Sequence, residues 1–391
     1  MYVRRLTLSD FRNYRRLELE LPAGALLFIG ENAQGKTNLL EAVYLLSTIR
    51  SPRTTSDSEL VNWDATAESA TAAARIVVDA ERRGGPVRVE MAVQAASGDP
   101  ANGPQRAIKR LRVDGAPKRA SEAVGRINSV FFTPQDLDLI GGPPSLRRRY
   151  LDMTLSQVDP RYLAALQEYV RVVTQRNALL RRIREGQSSV DELAFWDGEM
   201  TRNGAYIAGT RARTIEQLAT LAREAQEMLS GEREELGLAY EPRWAADWGA
   251  RRLVESDESA AASALLTTLE RGRRREVAAG VSLWGPHRDD LLFLLDGRSA
   301  AAYASRAQRR TAALALRLAE ARYLTSTIGE HPVLLLDDVL SEMDERRRRG
   351  VLEAIEGFDQ VWITSAEGDV AREAVAATIV FEVRAGEVVR S

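Results

Sequence analysis

The 391-residue chain is 45% hydrophobic and 28% charged, with a formal net charge of −2, so it can bury a sizeable core but has no global basic field to draw in nucleic acid. The absence of cysteine excludes disulfide frameworks, thiol catalysis and zinc–thiolate sites together. The start has no secretory apolar region, and no stretch approaches the roughly 20 apolar residues of a membrane span, which reads as a cytoplasmic protein with no membrane partner.

Residues 1–30 read as three short strands: one on Leu6, Leu8 and Phe11, one on Leu17, Leu19 and Leu21, and one on Ala25–Ile29. A glycine-rich loop, Gly30–Thr37, follows. Asn38–Ile49 then reads as a helix with Leu39, Leu40, Val43 and Leu46 on one face. Arg75–Ala80, Val87–Val93 and Lys109–Val113 are strand-like, and Ala95–Pro104 is loop-like. From Ser145 to about Arg275 the chain is Ala- and Arg-rich and helical. Leu163, Leu166, Val170, Val173, Asn177 and Leu180 fall at heptad spacing, and Leu193, Trp196, Met200 and Ile207 form a second periodic run. The pair predicts a short antiparallel helical hairpin or small bundle, or else an ordinary globular helical lobe. Leu291–Leu295 reads as a strand, Arg309–Leu324 as a helix, Val333–Leu336 and Gln360–Thr364 as buried strands, and Phe381–Val389 as a closing hairpin. Strands and helices alternating at both ends of an all-helical middle predict an α/β lobe with a helical insertion. The expected divisions are 1–130, 131–284 and 285–391.

Two motifs carry chemistry. Gly30-Glu31-Asn32-Ala33-Gln34-Gly35-Lys36-Thr37 fits G-x-x-x-x-G-K-[ST], preceded by a strand and followed by a helix. Such a loop turns its backbone N–H groups toward phosphate oxygens, and the next helix presents its N-terminus, beginning near Asn38, to the anion. Lys36 reaches the β- and γ-phosphates, and Thr37 supplies a hydroxyl to Mg²⁺. Only Lys36, Lys109 and Lys118 among the 54 basic residues are lysine, so a lysine in this one loop is itself informative. The second motif is Val333-Leu334-Leu335-Leu336-Asp337-Asp338, an apolar strand ending in carboxylates. Asp337 is expected to hold the metal and Asp338 to orient or deprotonate the attacking water; a helix cap or turn is the bland alternative.

Several further blocks resemble the RecF family of SMC-like, ABC-type ATPases. They are Phe11-Arg12-Asn13-Tyr14, the loop with Asn38-Leu39-Leu40-Glu41-Ala42, Phe132-Thr133-Pro134-Gln135-Asp136-Leu137, Arg147-Arg148-Arg149-Tyr150-Leu151-Asp152, Gly285-Pro286-His287-Arg288-Asp289-Asp290, Arg310–Leu316 and Leu336–Asp344. The resemblance implies an ABC/SMC-type P-loop ATPase head with a mixed sheet and an inserted helical lobe. It implies that Arg12 lies near the phosphates and that Gln135 is a metal-sensing glutamine. Ser305-Arg306-Ala307-Gln308 would be the signature segment that meets the γ-phosphate of a partner protomer, and Asp344 the residue of a loop crossing the dimer seam. Ala307 stands where the family has glycine, Pro52 where it usually has histidine, and Thr364-Ser365 where many ABC ATPases carry a switch histidine. The plainer readings are a surface arginine for Arg12, a polar turn residue for Gln135, a helix cap for Ser305 and a structural, hydrogen-bonded His287.

The family further implies ATP and Mg²⁺ as cofactors, an ATP-dependent homodimer, and slow, DNA-stimulated hydrolysis. It implies DNA, as duplex and single-strand/duplex junctions, as ligand, and RecR, and through it RecO and RecA, as partners. Arg147–Arg149, Arg181–Arg184, Arg271–Arg275 and Arg346–Arg349 are the basic clusters available to DNA, unless they are solvated helix faces. A chromosome-bridging SMC protein would need sustained heptads that the helical insert cannot supply. An ABC transporter subunit would need the Leu-Ser-Gly-Gly-Gln signature and switch histidine that are absent. A metabolic kinase would need turnover dependent on a small molecule.

Overall fold

In a computed structural model, the described residues are 1–391 other than 55, 70, 96–106, 232–233, 245–247, 342 and 367–378, so most of the expected loop Ala95–Pro104 lies outside them. They form fifteen strands: β1 Tyr2–Phe11, β2 Tyr14–Glu20, β3 Gly24–Ile29, β4 Ala73–Arg82, β5 Gly85–Gln94, β6 Ile108–Val113, β7 Ala116–Lys118, β8 Ser129–Phe132, β9 Leu236–Glu241, β10 Asp290–Leu295, β11 Arg298–Ser299, β12 Val333–Leu336, β13 Gln360–Ser365, β14 Ile379–Arg384 and β15 Glu387–Arg390. The chain divides into two compact units. One comprises Met1–Asp136, Met228–Ser230 and Arg317–Ser391, and the other Leu137–Glu227 and Gly231–Leu316.

The first unit holds two six-stranded sheets. The order β2-β1-β4-β5-β6-β7 is antiparallel throughout. The order β15-β14-β3-β13-β12-β8 is parallel except for the β15 edge. Leu26–Ile29, Val333–Leu336 and Gln360–Ser365 are buried without alternation, as parallel strands covered on both faces must be. Helix Lys36–Thr48 packs against β4 and β5 of one sheet and β8, β12 and β13 of the other. It is therefore buried around nearly its whole circumference, not on the single face that its leucines predict. Gln360 links the sheets: its amide accepts from Val3 N and donates to Val3 O, each at 2.9 Å.

The second unit is helical, with helices Pro144–Ser156, Pro160–Arg184, Leu193–Ser230 (entering the first unit at Met228) and Glu258–Ala279. Leu179, Leu180 and Leu193 pack with Ile183, Trp196 and Val277, so three helices share one apolar cluster. Two expectations need correction. First, β9 interrupts the region read as helical: Leu236–Glu241 pairs with β10 across 49 to 59 residues of sequence, and that distant partner leaves no local period. Second, the heptad seam lies one residue earlier than expected. Tyr162, Ala165, Tyr169, Val172, Arg176 and Leu179 are buried, whereas Val170 is 57% exposed. Tyrosines and an arginine occupy the inward positions, so hydrophobicity alone selects the wrong phase.

Arg176 is fully buried because it is fully paired. Its guanidinium donates to Asp197 at 2.8 Å, Glu276 at 2.6 Å and Ser282 at 2.9 Å. Removing it leaves the buried Glu276 without its cation and Asp197 with only the longer pair to Arg273, at 3.2 Å. Arg176→Met should therefore cost about 3–5 kcal/mol in urea unfolding, a loss that replacing all three charged groups by apolar residues should largely recover.

His287 is the structural, hydrogen-bonded histidine of the plainer reading. Nδ1 lies 2.7 Å from Tyr169 Oη and Nε2 3.2 Å from Ser282 O. Burial pulls its pKa from an ordinary 6.5 to about 4. The unfolded chain gains a proton near pH 6.5 that the fold refuses until about pH 4, so this stabilisation is present above 6.5 and is lost as pH falls through that window. Burial raises the neighbouring Asp289 to about 6, which works in the opposite sense and favours the fold as pH falls below 6. His287→Gln should remove only the first effect. The stability gap between wild type and variant should narrow by up to about 3 kcal/mol between pH 7 and 4, measured by urea unfolding at stepped pH.

Candidate nucleotide-binding site

The loop Gly30–Thr37 lies between β3 and helix Lys36–Thr48, at the end of the parallel sheet. Beneath it Phe28 stacks on Phe381 and lies against Trp362, each at 5.1 Å between ring centres, giving the loop a rigid aromatic floor. The curl of the loop needs its glycines. Gly35 has φ +114°, and a Cβ there would lie 2.5 Å from Asn13 Nδ2 and 2.8 Å from Tyr14 Oη. A Cβ on Gly30 would lie 2.3 Å from Val383 O. Ala33 also takes a left-handed φ of +65°, as loops that gather N–H groups around an anion do. Glu31, Asn32 and Ala33 are exposed.

The β1–β2 turn and the β14–β15 turn fasten this loop. Asn13 donates to Gln34 O at 2.9 Å and accepts from Asn38 at 2.8 Å, and Tyr14 donates to Gly35 O at 3.0 Å. Ala385 N donates to the Gln34 side chain at 2.6 Å and Gly386 N to its carbonyl at 3.2 Å. Next to the loop a cavity of about 560 Å³ is lined by residues that include Glu31, Gln34, Glu382 and Arg384.

The two motifs meet. Thr37 Oγ1 donates to the Asp337 carboxylate, at 2.9 and 2.8 Å, across 300 residues of sequence. Thr364 Oγ1 donates to the same carboxylate at 2.7 Å. Burial pushes the Asp337 pKa up, and the hydroxyls of Thr364 and Thr37 oppose that rise. Lys36 Nζ donates to Gly30 O at 2.6 Å and Glu31 O at 2.7 Å. Burial lowers its pKa, with Asp337 and Asp338 opposing. Asp338 has φ +50°, and its carboxylate accepts from Ser341 Oγ at 2.8 Å. The donor set fits a hard divalent cation: a threonine hydroxyl that gives its proton to a carboxylate keeps its lone pairs for the metal. Among the described residues no group of three or more His, Asp or Glu could hold a metal, so a cation held by Thr37 and Asp337 would take the rest of its shell from water and phosphate oxygens.

Arg12, at φ +52° in the β1–β2 turn, is not a free surface arginine. It donates to Glu41 through Nε at 3.1 Å and Nη2 at 2.7 Å. Glu41, 0% exposed in the loop's own helix, also accepts from Arg53 at 3.0 Å and Ser51 at 2.6 Å. The sequence reading passed over Glu41, although a lone carboxylate within Leu39–Leu46 is the signal that could have revealed it. Gln135 is exposed on the turn Pro134–Asp136, which Asp136 fixes through its ion pairs with Arg317 at 2.8 and 3.2 Å.

In the helical unit Ser305, Arg306 and Ala307 are exposed. Ser305 Oγ accepts from Gln308 N at 3.2 Å and Ser305 N donates to Gln308 Oε1 at 2.9 Å, a reciprocal cap on helix Arg306–Ile328. Asp344 is exposed and caps helix Glu345–Ile355 by accepting from Arg347 N at 2.9 Å; its neighbour Glu342 lies outside the described residues. One basic cluster is partly committed elsewhere: Arg147 is buried against Asp290, at 2.7 and 2.9 Å, and cannot serve DNA. Among the described residues no helix is long and apolar enough to cross a membrane.

The RecF/RecN/SMC N-terminal domain family matches residues 2–388. The DNA replication and repair protein RecF of Chloroflexus aurantiacus is 46% identical over 99% of both chains, and that of Symbiobacterium thermophilum 40% over 100% of this chain and 98% of its own. A solved structure described as the recombination mediator protein RecF with ATP, in the RecFOR pathway, superposes with a TM-score of 0.85 at 32% identity, covering 100% of this chain and 97% of that one. An SMC head bound to the C-terminal winged-helix domain of ScpA shares the fold at a TM-score of 0.53 and 14% identity.

Gly35→Ala should leave the chain folded by circular dichroism. Its new methyl would displace Asn13 and the loop, so ATP affinity in a fluorescence titration should fall by at least about tenfold, each tenfold being about 1.4 kcal/mol.

Proposed function

The chain belongs to the RecF family, and from that premise we propose that it is an ATP-driven DNA clamp of replication and recombinational repair. The observation that carries this reading is the Thr37–Asp337 contact, which completes an ATPase half-site from sequence segments 300 residues apart. Thr37 and Asp337 would hold Mg²⁺, and Lys36, which now donates to the Gly30 and Glu31 carbonyls, would donate to phosphate oxygens instead. When bound, the metal and nucleotide supply charge neutralisation and the phosphoryl group to be transferred. Asp338 orients the attacking water or takes its proton. Gln135, on the turn after β8, answers to the metal.

The second half of the site comes from another copy. Ser305-Arg306-Ala307-Gln308 presents an exposed helix N-terminus, the kind of end that favours an anion. In a head-to-tail dimer it faces the partner's γ-phosphate, with Asp344 near the seam. The capping bond of Ser305 does not compete with this, because a hydroxyl oxygen that accepts from Gln308 still has its proton to give. ATP closes the dimer on duplex or gapped DNA, hydrolysis opens it, and the closed form recruits RecR and, through it, RecO for RecA loading. Arg181, Arg271 and Arg274 are exposed on the helical unit and would meet phosphates.

Solution mass measured with ATP, with ADP and without nucleotide tests the reading. ATP alone should give a dimer, while Lys36→Arg and Ser305→Arg should stay monomeric with ATP. A wild-type chain that remains monomeric with ATP and DNA would overturn the clamp. A Ser305→Arg chain that dimerises and turns over ATP normally would overturn the signature assignment. DNA affinity should fall steeply with added salt.

A further inference from the structure

β13 ends at Thr364 and Ser365, between β3, which leads into the P-loop, and β12, which leads into Asp337. Thr364 is fully buried. Its Oγ1 lies 2.7 Å from Asp337 Oδ1 and 2.9 Å from the backbone nitrogen of Asp338. A threonine hydroxyl has one proton. The backbone N–H can only donate, so the hydroxyl accepts from Asp338 and must give its own proton to Asp337. One side chain thus touches both carboxylate-bearing residues, and the direction of each bond is fixed.

Resting on the ATPase reading above, we propose that Thr364 is the positioning residue of the hydrolytic centre, a single hydroxyl that sets the metal-binding Asp337 and the water-directing Asp338 in register. Its bond to Asp337 fixes the rotation of a carboxylate whose other hydroxyl donor, Thr37, stands on the loop that binds nucleotide. Its bond to Asp338 holds a backbone at φ +50°, a left-handed conformation uncommon outside glycine, though aspartate tolerates it better than most. Ser341 holds the same residue from the other side, donating to Asp338 Oδ2 at 2.8 Å and to its carbonyl at 3.0 Å. The backbone turn at Asp338 decides where its carboxylate leaves the strand, and therefore where a water can be held. No histidine serves this point of the sheet, because the chain's only two are His287 and His331. The coupling here is made by a group that does not titrate near neutrality.

The test compares Thr364→Val, which keeps the shape and removes the hydroxyl, with Thr364→Ser, which keeps the hydroxyl. Binding of a fluorescent ATP analogue is titrated in EDTA and at graded Mg²⁺, and kcat and KM for ATP are measured with DNA present. In EDTA both variants should bind nucleotide as wild type does. In Thr364→Val the Mg²⁺ needed for half-maximal tightening should rise, and kcat fall, by about 10–100-fold, the usual range for a group that orients a metal ligand, with KM changing less. Thr364→Ser should restore most of both. Ser341→Ala, which spares the buried strand, should lower kcat without moving the Mg²⁺ response.

The inference is overturned if Thr364→Val keeps the wild-type Mg²⁺ response, or if Thr364→Ser loses as much as Thr364→Val, which would assign the effect to packing of the methyl. It is likewise overturned if Ser341→Ala shifts the Mg²⁺ response as Thr364→Val does. A wild-type chain that binds ATP with Mg²⁺ but never hydrolyses it would sink the ATPase reading, while the Mg²⁺ titration would still decide on Thr364.

Discussion

The hydrogen bonds from Thr37 to Asp337 are the constraint on which the rest of this protein depends. They exist only because β3, β13 and β12 lie side by side in that order, so that three strand ends deliver a loop, a threonine and a pair of carboxylates to one edge. No local interaction could do this. The chain must fold the whole parallel sheet to bring Thr37 and Asp337 together, and Phe28 and Trp362, packed on each other from β3 and β13, show that the same strands also make the core. Packing and chemistry therefore share their determinants in this unit.

The P-loop helix extends that sharing to the second sheet. An amphipathic helix could shift slightly on one surface. Lys36–Thr48 instead lies between two sheets and carries a buried carboxylate at Glu41. An ionised carboxylate out of water needs partners, and it has three, from Arg12, Arg53 and Ser51. Arg12 comes from the β1–β2 turn and Arg53 from the segment after the helix. The charge that stabilises the helix in its slot thus also fixes two guanidinium groups beside the nucleotide loop. Gln360, bridging to Val3, ties the two sheets again at their other end.

The sequence made the strands and the site legible to different degrees, for physical reasons. Val333–Leu336 and Ala25–Ile29 could be read because parallel strands covered on both faces are written as continuous apolar runs. The meeting of the loop with Asp337 could be anticipated because both motifs are written with few residue types at fixed spacing. The seam of helix Pro160–Arg184 could not be phased, because Tyr162, Tyr169 and Arg176 are buried with their polar atoms satisfied, and hydrophobicity ranks them behind Leu163 and Val170. β9 was missed because its partner is distant. Glu41 stands out as a lone carboxylate among Leu39–Leu46, but its pairing with Arg12 and Arg53 is tertiary and leaves no mark in the motif. Thr364 was noticed only for not being a histidine; its two bonds give it a positive meaning.

The place of β3 in its sheet has a further consequence, for how the protein is made. β3 and the P-loop are synthesised more than three hundred residues ahead of both neighbours of β3 in the sheet, β13 and β14, which come from residues 360–384. Until they are made, this strand lacks both its partners and the helix after it lacks its β12 and β13 face, the condition in which nascent chains attract chaperones or aggregate. A nascent chain interrupted anywhere before β13 cannot build the nucleotide site, however complete its P-loop. Competence to bind ATP is therefore also a report that translation has passed β14.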